Sequence, residues 1–164
     1  LTGALLQVVF HALAKVCLFL CAGALIHYTH HTRVSEFRGV GRQMPLVMWC
    51  FALAGLSLVG IPPLGGFVSK WYLAQGGLEQ LGVLGGSLGA GVLLISALLT
   101  AGYLLGIVRD AFFPGADFQE EVLAEKPRWT MRLPLALLAA ALVVLGVWPT
   151  GLVSVIGGFA AAIL

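Results

Sequence analysis

Gly60-Ile61-Pro62-Pro63-Leu64-Gly65-Gly66-Phe67-Val68-Ser69-Lys70-Trp71-Tyr72-Leu73 is an apolar run interrupted by two consecutive prolines and two glycines, with a lysine four residues beyond the interruption. Each proline removes a backbone donor and clashes with the preceding turn, so a helix entering this run must break. The sequence on either side is apolar at membrane length. Residues 44–69, 80–108 and 133–164 carry no formal charge, and residues 1–26 carry one, Lys15. About 20 apolar residues cross the hydrocarbon core as a helix. Four spans are therefore expected: 4–26, 45–73 with its break, 84–108, and 133–164, the last with a kink or membrane exit at Trp148-Pro149-Thr150-Gly151. Pro45 suits a first helical turn. The expected fold is an all-α polytopic membrane protein of about four transmembrane helices, one of them discontinuous at Pro62 to Gly66.

Composition excludes the other classes. Of the 164 residues 60% are apolar and 10% charged, and the mean hydropathy is +1.01, which rules out a water-soluble domain. A net charge of +2 with scattered basic residues does not make a nucleic-acid surface. Cys17, Cys21 and Cys50 lie in apolar stretches and read as small hydrophobes rather than as a disulfide or zinc framework. His27, His30 and His31 have no cysteine or carboxylate at ligand spacing except the distant Glu36, so they read as a solvated interfacial cluster. The glycine pairs 82 and 86, 85 and 89, and 102 and 106 read as sites of close helix approach. No phosphate loop, nucleophile elbow or redox cysteine motif is present, so no catalytic residue, cofactor site or metal site is expected in this chain. The chain opens directly in an apolar run and its first methionine is Met44, so it reads as a piece of a longer protein.

The connections set the expected topology. Arg33, Arg38 and Arg42 lie in one loop and Arg109, Lys126, Arg128 and Arg132 in another, whereas the turn over 74–83 has only Glu79. Basic loops stay cytoplasmic. Alternation of four spans agrees, placing both basic loops inside and both chain ends, with the turn around Gly76 and Gly77, outside.

Charged groups at bilayer depth mark function, because each costs about 2.5–3.5 kcal/mol on insertion scales. Lys15 sits near the middle of the first span. His11 precedes it by four residues on the same helix face, and Gln7 lies one turn further. Such a stripe can pass protons through intervening water; the plainer alternative is that Lys15 snorkels to an interface and His11 is satisfied by a neighbouring helix. Lys70 follows the Pro62-Pro63-Leu64-Gly65-Gly66 break, and broken backbone at membrane depth requires protein or a water-filled cavity around it. Water and charge are thus placed together, as at the interrupted helices of transporters. Without that context, residues 61–66 are equally a turn between short spans, with Lys70 among headgroups. Burial favours the neutral form of a lysine, which would make Lys70 a proton relay. Ser96, Thr100 and Tyr103, at i, i+4 and i+7 of the third span, are a possible polar lining of the same interior, or an interhelical hydrogen-bonding stripe.

The run from His11-Ala12-Leu13-Ala14-Lys15 to Leu20, then Gly39-Val40-Gly41-Arg42 to Pro45, then Gly60 to Leu73, closely resembles the proton-translocating antiporter-like subunits shared by Mrp-type cation/proton antiporters and the membrane arm of NADH:quinone oxidoreductase. The likeness covers roughly residues 5–113. Its Ser69-Lys70-Trp71-Tyr72-Leu73 ending looks most like the D-type component of Mrp antiporters, and membrane-bound hydrogenase subunits share it too. The resemblance implies a bundle of about fourteen helices built on inverted five-helix repeats, of which this chain is the C-terminal part. In that frame 1–113 belongs to the antiporter-like domain (three spans), 114–132 is a charged cytoplasmic loop and 133–164 is the final transmembrane helix. It also implies that Lys70 lies on a discontinuous helix in a half-channel, fed by His11 and Lys15. Some members carry a histidine where this chain has Gln7, and others a glutamate in place of Lys70. The coupling glutamate and lysine of the first half-channel would lie upstream of Leu1.

The expected function is proton translocation by a multi-pass subunit of a hetero-oligomeric Mrp-type Na+/proton antiporter in a prokaryotic inner membrane. Its expected partners are other membrane subunits, protons, Na+ and the lipid bilayer, with no nucleic acid. The alternatives are a redox-driven pump subunit of an oxidoreductase or hydrogenase complex, and a non-conducting structural module.

Overall fold

The computed structural model describes residues 1–115 and 127–163, so residues 116–126 of the expected charged loop, Lys126 among them, lie outside the described residues. Helix α1 is Thr2–Thr29. A short 3-10 helix, Val34–Phe37, and α2, Val40–Gln43, lead to α3, Pro45–Val59. Then come α4, Gly65–Phe112, α5, Trp129–Val147, and α6, Thr150–Ile163.

At about 1.5 Å per residue, three helices are long and apolar enough to cross a membrane: α1, α4 and α5. With 15 residues α3 is shorter, and completes a crossing only together with the start of α4. Pro45 occupies the first turn of α3, where its missing amide costs nothing. In α1 the buried row Leu6, Phe10, Ala14, Cys17, Cys21 and Ala24 recurs every three or four residues. The small members of that row let α3 approach. The Cys21 thiol points to the Val47 carbonyl at 3.4 Å, and Cys17 to that of Cys50 at 3.8 Å. All three cysteines are buried free thiols, small apolar groups at a helix seam.

The 48 residues of α4 are two helical arms, 65–81 and 83–112, folded back on each other at Gly82. Gly82 has φ 69° and ψ −177°, a left-handed conformation that glycine adopts without steric penalty. Residues 78 and 86 would be about 12 Å apart along a straight helix, yet a Cβ on Gly86 would stand 2.5 Å from the Leu78 Cα. The second arm then runs back along α3, where Leu104 faces Gly55 and the Ala111 carbonyl faces Gly41. The chain therefore reverses at one residue, not around Gly76 and Gly77, which remain helical. Of the glycine pairs read as close approaches only Gly86 meets another backbone; beside Gly89, Gly102 and Gly106 there is open space among the described residues.

The final span begins four residues earlier than expected, at Trp129, and it is divided at Trp148-Pro149, where the sequence leads one to expect a kink or exit, because Pro149 has no amide to continue the ladder.

Both basic connections gather at one end of the bundle. Arg38 Nη2 donates to the Pro114 carbonyl at 2.6 Å, the Gly39 amide to that of Asp110 at 3.1 Å, and the Arg128 amide to the Tyr28 hydroxyl at 3.0 Å. Glu36 accepts from the Arg33 and Thr32 amides at 3.0 and 3.3 Å, and those bonds hold its carboxyl below the usual carboxylate range. His31 Nδ1 lies 3.8 Å from the same carboxylate, and no group of three metal-ligating side chains occurs among the described residues. At the opposite end a cavity of about 800 Å³ is bounded by Leu1 to Ala4, by Tyr72 and Glu79 of α4, and by Val153 of α6. The loop pairing expected from the charge pattern is the pairing observed.

Candidate functional site

The four carbonyls that end α3 account for the centre of the molecule. The last four carbonyls of any helix have no partner within it. Here Gly60 turns left-handed at φ 88°, its amide reaching the Leu56 and Ser57 carbonyls at 3.0 and 3.1 Å, and the Ile61 amide also reaches Leu56 at 3.1 Å. That is a Schellman cap, and it satisfies two of the four. The other two, Leu58 and Val59, would be bonded in a continuing helix by the amides of residues 62 and 63. Both are prolines and have no such donor.

Lys70 replaces both donors. Its Nζ lies 2.9 Å from the Leu58 carbonyl and 2.7 Å from that of Val59. The first arm of α4 starts beside the end of α3 rather than beyond it, which is how a residue eleven positions downstream returns to these oxygens. Gly66 permits the overlap: its amide donates to Ser57 Oγ at 3.2 Å, and a Cβ there would run into the Ser57 carbonyl. Gly60 permits the lysine stem to pass, since a Cβ at that position would stand 2.8 Å from Lys70 Cδ. The ammonium thus sits at the negative end of the α3 dipole, where a cation is favoured. Pro62, Pro63, Gly65 and Gly66 all take part. Two prolines make the vacancy and two glycines let α1 and α3 close around it, Gly65 lying against the ring of Phe10.

A polar row leads away from this point along α1. Ser69, fully buried, donates to Gln7 Oε1 at 2.6 Å and lies 3.1 Å from the Gly66 carbonyl of its own helix. His11 follows Gln7 by one turn of α1 and Lys15 follows His11 by another. His11 and Lys15 lie on an exposed face of α1 that no described residue covers, whereas Lys70 is half-buried. The structure therefore brings Gln7, His11 and Lys70 into one neighbourhood, with Lys15 at its outer edge.

Ser96, Thr100 and Tyr103 are not brought there. Thr100 bonds back to the Ser96 carbonyl at 2.8 Å, and Tyr103 is 59% exposed. Leu104 and Ala111 form the face of the second arm that meets α3. A spacing of four and seven puts residues on one face but does not say which way that face turns. Ser57 and Ser69 are functional neighbours that sequence reasoning misses. Both follow from the overlap of α4 on α3 and α1, and their one sequence signal is their position beside the glycines and the lysine.

Residues 1–100 match the family model described as NADH:quinone oxidoreductase/Mrp antiporter, transmembrane. The N-type component of the NADH-quinone oxidoreductase of Desulforudis audaxviator is 41% identical over 93% of this chain and 31% of its own length. The D-type component of the Na(+)/H(+) antiporter of Bacillus subtilis is 34% identical over 68% of this chain and 22% of its own. The chain thus spans less than a third of these curated relatives. A chain of the membrane-bound sulfane sulfur reductase, an archaeal respiratory membrane complex, superposes with a TM-score of 0.80 over 95% of this chain and 30% of its own length, at 22% identity, which supports the fold. With the discontinuous helix, the apolar spans and the matched residues in agreement, the chain is a multi-pass membrane protein of the NADH:quinone oxidoreductase/Mrp antiporter transmembrane family.

Proposed function

We propose that this chain moves protons as a membrane subunit of a multi-subunit complex, with Lys70 as the protonatable switch and His11 and Lys15 as the groups that exchange protons with it. The observation that carries the reading is the placement of the Lys70 ammonium on two carbonyls that the prolines leave without donors. A lysine so placed has a defined resting position, and its chain neighbour Ser69 bonds Gln7, one turn from His11. Lys15 on an uncovered face of α1 adds a second argument, because a cation left against lipid costs several kcal/mol. That face is accordingly read as one covered by the rest of a larger bundle.

Two energy sources fit this chemistry. The Ser69 to Leu73 ending supports exchange with Na+ in an Mrp-type antiporter, in the manner of its D-type component. The higher identity and longer coverage of the N-type relative favour the second reading, a redox-driven arm. Iron and flavin assays on the purified native complex separate them.

The proton assignment is tested in the full-length protein within its complex. Lys70→Ala should abolish proton-coupled transport in membrane vesicles. Lys70→Arg keeps a cation that can cap α3 but does not release its proton near neutral pH, and it should assemble normally and transport at most a few per cent of wild type. Wild-type transport in an assembled Arg variant overturns the assignment.

A further inference from the structure

The carbonyl pair at the end of α3 has no backbone donor, whichever group meets it. Pro62 and Pro63 have no amides, and the amides of Gly60 and Ile61 are spent on Leu56 and Ser57. The Leu58 and Val59 oxygens therefore face the gap whatever Lys70 does. They sit at the negative end of a 15-residue helix. Broken helices that end in free carbonyls are the way membrane transporters hold small dehydrated cations.

We infer that the Leu58 and Val59 carbonyls form a monovalent-cation site for which the Lys70 ammonium and a small inorganic cation such as Na+ compete. In the conformation seen, the ammonium is the occupant, at 2.9 and 2.7 Å. When Lys70 passes its proton on and swings away, the two oxygens are left without a protein donor, and a cation with water completing its shell takes them. Proton release and cation entry are then alternatives at one place, and the exchange needs no second pathway through the break. This rests on the reading of Lys70 as the proton switch and deepens it by naming the ligand that replaces the ammonium.

The experiment measures the thermal midpoint of the native complex against NaCl, KCl and choline chloride, for wild type and for Lys70→Ala. Choline is too large for a two-carbonyl gap. In the alanine variant Na+ or K+ should raise the midpoint by roughly 2–4 °C with saturation, and choline should not. Wild type near neutral pH should show no such specific rise. An alanine variant that responds equally to choline, or not at all, overturns the site. If that variant does not assemble, wild type answers the question: Na+-specific stabilisation should grow as pH rises and Lys70 gives up its proton, and a pH-independent response overturns the site. Transport separates the two proposals. Loss of transport in Lys70→Ala without cation-specific stabilisation sinks the site and leaves the switch standing, whereas retained transport sinks the switch.

Discussion

Among the described residues two helix interruptions fall at prolines, and they differ in what fills the gap. Between α3 and α4 the interruption holds Pro62 and Pro63, and the first turns of α4 overlap the end of α3 so that Lys70 bonds the two carbonyls left over. Between α5 and α6 the interruption holds Pro149 alone. There the Trp148 amide bonds the Val144 carbonyl at 2.9 Å and the Val153 amide bonds that of Pro149 at 2.8 Å, so the ladder resumes almost at once. The one hydroxyl bond nearby is that of Ser154, which reaches the Gly151 carbonyl of its own helix at 2.9 Å. A proline break is thus not a site in itself. It becomes a candidate for one where the chain overlaps itself, leaves two carbonyls without backbone donors and brings a charged donor to them.

The largest effect that tests this contrast is the loss of transport expected for the Lys70 variants. No residue of the second break should have a comparable effect. The next is steric. An alanine at Gly66 drives its methyl into the Ser57 carbonyl, backbone against backbone, with no rotamer to relieve it. Gly66→Ala should cost about 1–3 kcal/mol or more, seen as a lower thermal midpoint of the complex. The matching position after the second break, Gly151, has nothing within 4 Å among the described residues. Gly151→Ala should stay within about 0.5 kcal/mol of wild type. Equal effects at both positions would show that the overlap of α4 on α3 is not tight and that the two breaks are alike.

Much of this is legible in the sequence. The spans follow from the gaps between charges, the loop pairing from the arginines, and the break from Pro62 and Pro63, because each expresses a local rule. Lys70, His11, Lys15 and Gln7 stand out because charge or polarity in an apolar run has few explanations. What stays illegible depends on how segments fold over one another. Gly76, Gly77 and Gly82 are equally able to turn, and only packing of Leu78 on Gly86 selects Gly82. The partnership of Lys70 with the Leu58 and Val59 carbonyls crosses the irregular backbone of residues 60–64 and the first turns of α4, which no periodicity reports. Ser69 meets Gln7 because Gly3 lets α1 come within reach of the Tyr72 and Leu73 backbone. Thr100 and Tyr103 show the converse: their spacing places them on one face, but the direction of that face is set by the docking of Leu104 on Gly55.

The smallest expected effect is also the cleanest control. Pro149→Ala restores an amide that can bond the carbonyl four residues back, as an unbroken ladder would, and so joins α5 to α6. The change joins two apolar helices, with no charge, no carboxylate and no lysine within the break. Transport should remain within about twofold of wild type, since the barrier change allowed by a twofold effect is well under the roughly 1.36 kcal/mol that a tenfold effect requires. If joining α5 to α6 instead reduced transport as far as Lys70→Ala does, flexibility of the bundle rather than the capped lysine would be the quantity both breaks supply. The distinction between a filled gap and an empty one would then have to be abandoned.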